Sequence, residues 1–425
     1  MSLNSTIKLF PSTLNGEVSA PPSKSISHRA IIAASLSYGK SVISNLLFSD
    51  DVNATIESMK ELGVKFTKEA DKLTIVGPKH LKYSHNEVNC NESGSTLRFL
   101  IPIFSLTNEK ITFTGKDSLI KRPQTIYEDI FKSDGNILDI TKSKIVVNGS
   151  IKARKYFIDG KVSSQFISGL MFSLPLLKSD SEIIFTSPIE SIGYIDLTID
   201  VLKSFGVIIK RLDNGYLIRG NQHYTPQDYT IDGDYSQSAF FLVGGLISER
   251  IKINNLSTTS LQGDKEIISY IHSMNGNLKS MVNGFITRNS DTEGITIDIS
   301  QTPDLAPPIA LLAALSKGTT KIVNASRLRI KESDRIKSIV QTLKKLGADI
   351  KEVDDSIIIQ GIPMFEGGVT VDSFNDHRIA MMVSIASSRS KNEIILTQAN
   401  AVSKSYPTFY DDFKSIGGNY IIVKD

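Results

Sequence analysis

Six polar clusters recur along this sequence: Ser23-Lys24-Ser25-Ile26-Ser27-His28-Arg29, Glu92-Ser93-Gly94-Ser95-Thr96-Leu97-Arg98, Ser163-Ser164-Gln165, Gly233-Asp234-Tyr235-Ser236-Gln237-Ser238, Thr302-Pro303-Asp304 and Asn375-Asp376-His377-Arg378. Each stands at the start of an apolar, helix-forming run. Ser, Thr, Asp and Asn are expected there as N-caps. Capping leaves Lys24, Arg29, Arg98 and Arg378 unexplained, because a cation at a helix N-terminus opposes the positive end of the macrodipole. An anion held between the backbone amides and these cations would remove the conflict. Several such helix starts in one chain point to a polyanionic ligand.

Two further basic segments follow strand-like runs: Lys121-Arg122-Pro123 and Arg327-Leu328-Arg329-Ile330-Lys331-Glu332-Ser333-Asp334-Arg335. The alternation of Arg327, Arg329 and Lys331 predicts an extended stretch that presents three cations on one side. Glu332 is then expected to open the helix that carries Arg335. A carboxylate among so many cations is a candidate acid–base group whose proton affinity the ligand helps to set.

Six segments of similar wording position these clusters. Met59-Lys60-Glu61-Leu62-Gly63, Phe131 to Gly135, Leu202 to Gly206, Ile271 to Gly276, Leu343 to Gly347 and Phe413 to Gly417 each end in glycine, at successive intervals of 72, 71, 70, 71 and 70 residues. Each glycine fits a helix C-cap, where a left-handed residue is wanted and a Cβ is unwelcome. Near-equal spacing across the whole chain is the mark of an internal repeat. Within a repeat, an apolar helix precedes a β-rich run, an amphipathic helix and two more strand-like runs. This order predicts α/β units in which the apolar helices are buried and the amphipathic ones lie outside. After Gly417 one strand, Asn419 to Lys424, lacks its return, while Thr6 to Phe10 and Gly16 to Ser19 are spare strands at the other end. Both termini are therefore expected in one domain. Repeat spacing leaves open whether six units form one ring or two groups of three.

Composition bounds the rest. A chain of 425 residues, 40% apolar and 22% charged, is ordinary for a globular protein of two or three domains. A net charge of +3, from 48 basic and 45 acidic residues, gives no reason to expect nucleic acid. No apolar run has membrane-spanning length, and Met1 to Thr6 do not read as a secretory signal. A soluble, cytoplasmic protein is expected. The single cysteine, Cys90, excludes an internal disulfide and reads as a small core residue. The six histidines lack metal-ligand spacing, and no GxGxxG fingerprint is present. Ala34 to Ser41 fits a loosened phosphate-loop pattern in the reverse structural order.

The segments Ala20 to Arg29, Ser93 to Arg98, Lys121 to Pro123, Ser163 to Phe166, Ile330 to Arg335 and Asn375 to Arg378 resemble, in order and over nearly the whole chain, the 5-enolpyruvylshikimate-3-phosphate synthase (EPSP synthase) family of enolpyruvyl transferases. The resemblance implies a two-domain inside-out α/β barrel with six βαβαββ repeats, three per domain. One domain would comprise residues 1–23 and 235–425, the other residues 24–234, with the active site in the cleft between them. It implies transfer of the enolpyruvyl group of phosphoenolpyruvate to the 5-hydroxyl of shikimate 3-phosphate with release of phosphate, a step of chorismate and aromatic amino acid biosynthesis.

By the same resemblance, Lys24, Ser25, Arg29, Ser163, Ser164, Gln165, Ser191, Tyr194, Asp304 and Lys331 would hold shikimate 3-phosphate. Lys24, Gly94, Arg122, Gln165, Arg335, Arg378 and Lys404 would meet phosphoenolpyruvate. Asp304, Glu332 and Lys24 are the candidate acid–base residues, with Asp304 assigned to the hydroxyl. No metal or organic cofactor, nucleic acid or membrane is implied, and a monomer is expected. Three positions depart from the family's common pattern: Glu92 for Asn, Phe99 for Pro and Arg327 for Asn. The related UDP-N-acetylglucosamine enolpyruvyl transferase is the nearest alternative. It usually carries a cysteine in the loop before Arg-Pro, and residues 115–121 have none. A non-catalytic anion-binding protein on the same scaffold is the more distant alternative; it would be expected to lose Lys24, Asp304 and Glu332.

Overall fold

Every repeat solves the same burial problem. In the second, strand Glu87–Asn89 runs into the apolar helix Gly94–Ser105, and strand Ile111–Thr114 returns parallel to it. Helix Thr125–Ser133 then leads to the antiparallel pair Ile137–Ile140 and Lys144–Asn148, which completes a four-stranded sheet. The computed structural model describes residues 5–423. Met1 to Asn4 and the end of the expected terminal strand, Lys424, lie outside the described residues.

Among the described residues there are six such four-stranded sheets, each with one parallel and two antiparallel pairings. The fold is mixed α/β, built from six repeats.

The chain divides into two compact units, one of Pro22–Ile231 and the other of the residues up to Pro21 together with Asp232 onward. Each unit holds three sheets. Strand order explains why the second unit takes both ends of the chain. Thr6–Phe10 pairs antiparallel with Ile394–Thr397 and with Asn419–Val423, supplying the strand the last repeat lacks. Asn15–Ser19 pairs parallel with Arg250–Asn254. In the first unit, Tyr229–Thr230 fills the corresponding place beside Gly39–Ser44.

The helices that open each repeat are the buried ones. Tyr235–Ile247 is buried along its whole length, as is Ala306–Ala314, and His377–Ala386 has no exposed residue. Helices Gly94–Ser105 and Ser164–Ser173 pack so closely that a Cβ on Gly169 would lie 2.4 Å from the Arg98 carbonyl oxygen. Five repeat-ending glycines, Gly63, Gly135, Gly206, Gly347 and Gly417, adopt positive φ as the C-cap reading requires. The exception is Gly276, where Asn275 takes the left-handed position at φ 61°. Asn is the other residue that tolerates this geometry.

Two local expectations are corrected. Ser326–Ile330 forms a 3-10 helix, so Arg327 and Arg329 do not alternate along an extended strand. Arg329 is instead spent on Glu352, Asp355 and Asp334. The helix carrying Arg335 begins at Arg335 itself, capped by Asp334, and Glu332 precedes it.

Candidate active site

The first unit gathers its polar groups at the N-terminal ends of three buried helices. Ser23 caps Lys24–Leu36, Ser93 caps Gly94–Ser105 and Ser163 caps Ser164–Ser173, each accepting a backbone N–H. Lys24 opens the first helix, and its Nζ lies 2.9 Å from Asp51 Oδ2. Arg29 is one turn further in and almost fully buried. Its guanidinium donates to neutral oxygens: Thr198 Oγ1 at 2.8 Å, the Ser25 carbonyl at 2.7 Å and the Tyr194 carbonyl at 3.0 Å. Phe99, one of the departures from the family pattern, sits under that guanidinium at 5.1 Å. Burial pulls the Arg29 pKa down to about 10, the direction expected of a buried cation that an anion would relieve.

Gln165 links two of these helices: its Nε2 donates to Ser95 Oγ at 2.9 Å, and its Oε1 accepts from Arg98 Nη1 at 3.0 Å. Ser164, beside it, is buried. Arg122 lies over Gly94, where an added Cβ would fall 2.8 Å from Nη1. Its Nε is buried without a hydrogen-bond partner, so an anion there would satisfy a standing deficit. Ser191 takes a left-handed conformation at φ 54° just before helix Ile192–Ser204, which carries Tyr194. Glu92 pairs with Lys116 at 2.9 Å. His28, fully buried against Thr55 Oγ1 at 2.7 Å, is held neutral by desolvation and by Lys24 and Arg29.

The second unit builds a denser cluster. Asp304 stands in the 3-10 turn Pro303–Leu305 ahead of Ala306–Ala314. The N-cap position of Ala306–Ala314 itself is Leu305, one residue later. Asp304 Oδ1 faces Arg335 Nη1 at 2.7 Å and Lys331 Nζ at 3.2 Å, and its Oδ2 faces Arg378 Nη2 at 3.2 Å. Burial alone would raise its pKa, but Arg378, Lys331 and Arg335 outweigh it and hold the group well below the usual carboxylate range. Lys331 is itself lowered, chiefly by burial. Arg335 is 1% exposed and also pairs with Glu332 Oε2 at 2.6 Å. Lys404 Nζ donates to the Asn375 carbonyl at 2.6 Å. Arg327 adds to the positive field at Lys331.

Sequence reasoning passed over two carboxylates. Asp51 lies in the first turn of helix Asp50–Lys60, where an acid complements the dipole, and Asp376 caps helix His377–Ala386. Each also holds a candidate ligand-binding cation, Lys24 and Arg335 respectively. Among the described residues, no three His, Cys, Asp or Glu side chains are grouped as a metal site requires. No helix there is long and apolar enough to cross a membrane.

The family model for EPSP synthase (3-phosphoshikimate 1-carboxyvinyltransferase) matches residues 10–413. This chain belongs to the EPSP synthase family. A 3-phosphoshikimate 1-carboxyvinyltransferase of Clostridium novyi is 48% identical, with 97% of each chain covered. One from Clostridium perfringens is 49% identical, covering 96% of this chain and 98% of its own. Among solved structures, EPSP synthase from Acinetobacter baumannii superposes with a TM-score of 0.83 at 24% identity, over 99% of this chain and 100% of its own. The enolpyruvyl transferase NikO from Streptomyces tendae gives 0.78 at 13% identity, with 100% of each chain covered. These structural likenesses extend the fold, and the sequence matches extend the family, to both units.

Proposed function

We infer that this chain transfers the enolpyruvyl group of phosphoenolpyruvate to the 5-hydroxyl of shikimate 3-phosphate, releasing phosphate. The observation that carries this reading furthest is the convergence of Lys331, Arg335 and Arg378 on Asp304. Two arginines suit a carboxylate or phosphate through forked hydrogen bonds that lysine cannot copy, and both substrates bring such groups.

In the free protein Asp304 is the counter-ion of three cations. A substrate carboxylate that engages Arg335 and Arg378 takes over that role and leaves Asp304 a stronger base. Asp304 then accepts the proton of the 5-hydroxyl as that oxygen bonds to C2 of phosphoenolpyruvate, while an acid, Lys24 or Glu332, protonates C3. From the resulting tetrahedral intermediate a base removes a C3 proton, the C2–phosphate oxygen bond breaks, and phosphate leaves with the enolpyruvyl ether formed. Arg29, held by neutral oxygens, supplies charge to the anionic acceptor; Arg122, with its unpartnered Nε, supplies charge to phosphoenolpyruvate. We further propose that the enzyme is cytoplasmic, acts as a monomer and needs no cofactor.

Phosphate release, measured with phosphoenolpyruvate and either shikimate 3-phosphate or UDP-N-acetylglucosamine, tests the reading. Release with the first acceptor alone supports it. Release with the sugar nucleotide alone, or with neither, overturns it. Phosphate release that chelator abolishes and only a divalent ion restores would overturn the cofactor claim.

A further inference from the structure

Asp376 is wholly buried at 0% exposure and uses both oxygens twice. Its Oδ2 accepts from Arg335 Nε at 2.8 Å and from Ser333 Oγ at 3.0 Å; its Oδ1 accepts from the Arg378 backbone N–H at 2.9 Å and from Arg335 Nη2 at 3.3 Å. The side-on grip on Nε and Nη2 fixes the plane of the Arg335 guanidinium. It turns the opposite edge toward Asp304, which meets Nη1, and Glu332, which meets Nη2. Through the Arg378 amide the same carboxylate also sets the first turn of the helix from which Arg378 reaches Asp304.

We propose that Asp376 is a positioning residue that aims Arg335 and Arg378 together at the carboxylate of phosphoenolpyruvate. This rests on the reading that these arginines meet phosphoenolpyruvate. A guanidinium recognises a carboxylate through two N–H groups in one plane, so a rotated plane loses the second bond. Displacements of about 1 Å remote from the reacting atoms can cost about 10²-fold. A lysine at position 335 offers no plane to fix. A purely structural role is the competing account: Asp376 caps a helix and neutralises a buried cation, and both serve stability alone.

Asp376→Asn separates the two. In one amide orientation the –NH2 faces Arg335 Nε, donor against donor; in the other it faces the Arg378 N–H. The grip is broken either way, while size is kept. We expect KM for phosphoenolpyruvate to rise about 10- to 100-fold. The Kd for shikimate 3-phosphate alone should stay within about twofold, since the site's other residues hold that ligand. A lowered melting point with unchanged KM for phosphoenolpyruvate would overturn the proposal.

Should the variant not fold, Ser333→Ala removes one bond to Asp376 and should raise the same KM a few-fold; an unchanged KM would count against the proposal. For a folded Asp376→Asn, combination with Arg335→Lys gives a further test: the two should be non-additive in KM, and full additivity overturns the coupling. Calorimetric titration of the wild-type protein with phosphoenolpyruvate, in the presence of shikimate 3-phosphate, accompanies these assays. Turnover in the wild type with an unchanged Asp376→Asn sinks only the positioning role. Absence of both turnover and binding in the wild type sinks the functional reading and this proposal with it.

Discussion

Arg335 Nη1 and Asp304 Oδ1 lie 2.7 Å apart, so the residue assigned to bind a substrate anion holds the residue assigned to deprotonate the other substrate. The pair makes binding and base strength one equilibrium. Asp304→Asn removes the internal competitor for Arg335 and Arg378. Phosphoenolpyruvate should therefore bind about 3- to 10-fold more tightly, near 1 kcal/mol, by calorimetry. Weaker binding would show that Asp304 does not compete with the ligand.

The same pair gives a pH dependence of stability. The pKa of Asp304 is depressed in the folded protein. Its stabilising contribution is then present above the unfolded value of about 3.9 and is lost as pH falls through the folded value. Asp304→Asn should lower the melting temperature at pH 7, and the gap to wild type should close below about pH 4. Scanning fluorimetry across pH 7 to 3 measures it; a gap that does not vary with pH would contradict the account.

Gly94 lets Arg122 approach the start of its helix. A methyl group there falls 2.8 Å from Nη1, a distance that forces the side chain to move. Gly94→Ala should raise KM for phosphoenolpyruvate about tenfold or more while turnover at saturation falls less, because uniform binding is what is lost. Steady-state kinetics with phosphoenolpyruvate varied decide it. An unchanged KM would place the ligand away from Arg122.

Cys90 is buried, and desolvation pushes its thiol up to about 12. The thiolate is the reactive form, so native protein should resist a thiol reagent and denatured protein should titrate one thiol. Rapid labelling of the native protein would contradict this and would reopen the cysteine-dependent alternative.

The repeats were legible because a helix C-cap needs a left-handed residue, and glycine spacing records that need. Lys24, Arg29, Arg98 and Arg378 were legible for a similar reason: cations at helix starts break a local rule, and function is a reason to break it. Partnerships across long sequence separations were not. Nothing near Asn15–Ser19 signals that it pairs with Arg250–Asn254, since a strand's partner is chosen by the packed sheet. Asp376 satisfied the local rule for an N-cap, which concealed its second bond to a residue 41 positions away. Arg327 and Arg329 misled in the opposite sense. Their alternation fits a strand, yet the segment closes into a 3-10 helix that buries Leu328.

The turnover of Asp304→Asn tests the central claim most directly. Asn keeps the size of Asp and can still accept a hydrogen bond, so the substitution removes a proton acceptor from the cation cluster while largely preserving the helix start. At saturating phosphoenolpyruvate and shikimate 3-phosphate, phosphate release by the folded variant should fall about 10²- to 10⁴-fold, with shikimate 3-phosphate affinity changed far less. A folded Asp304→Asn enzyme that turns over at the wild-type rate would contradict the assignment of Asp304 as the base.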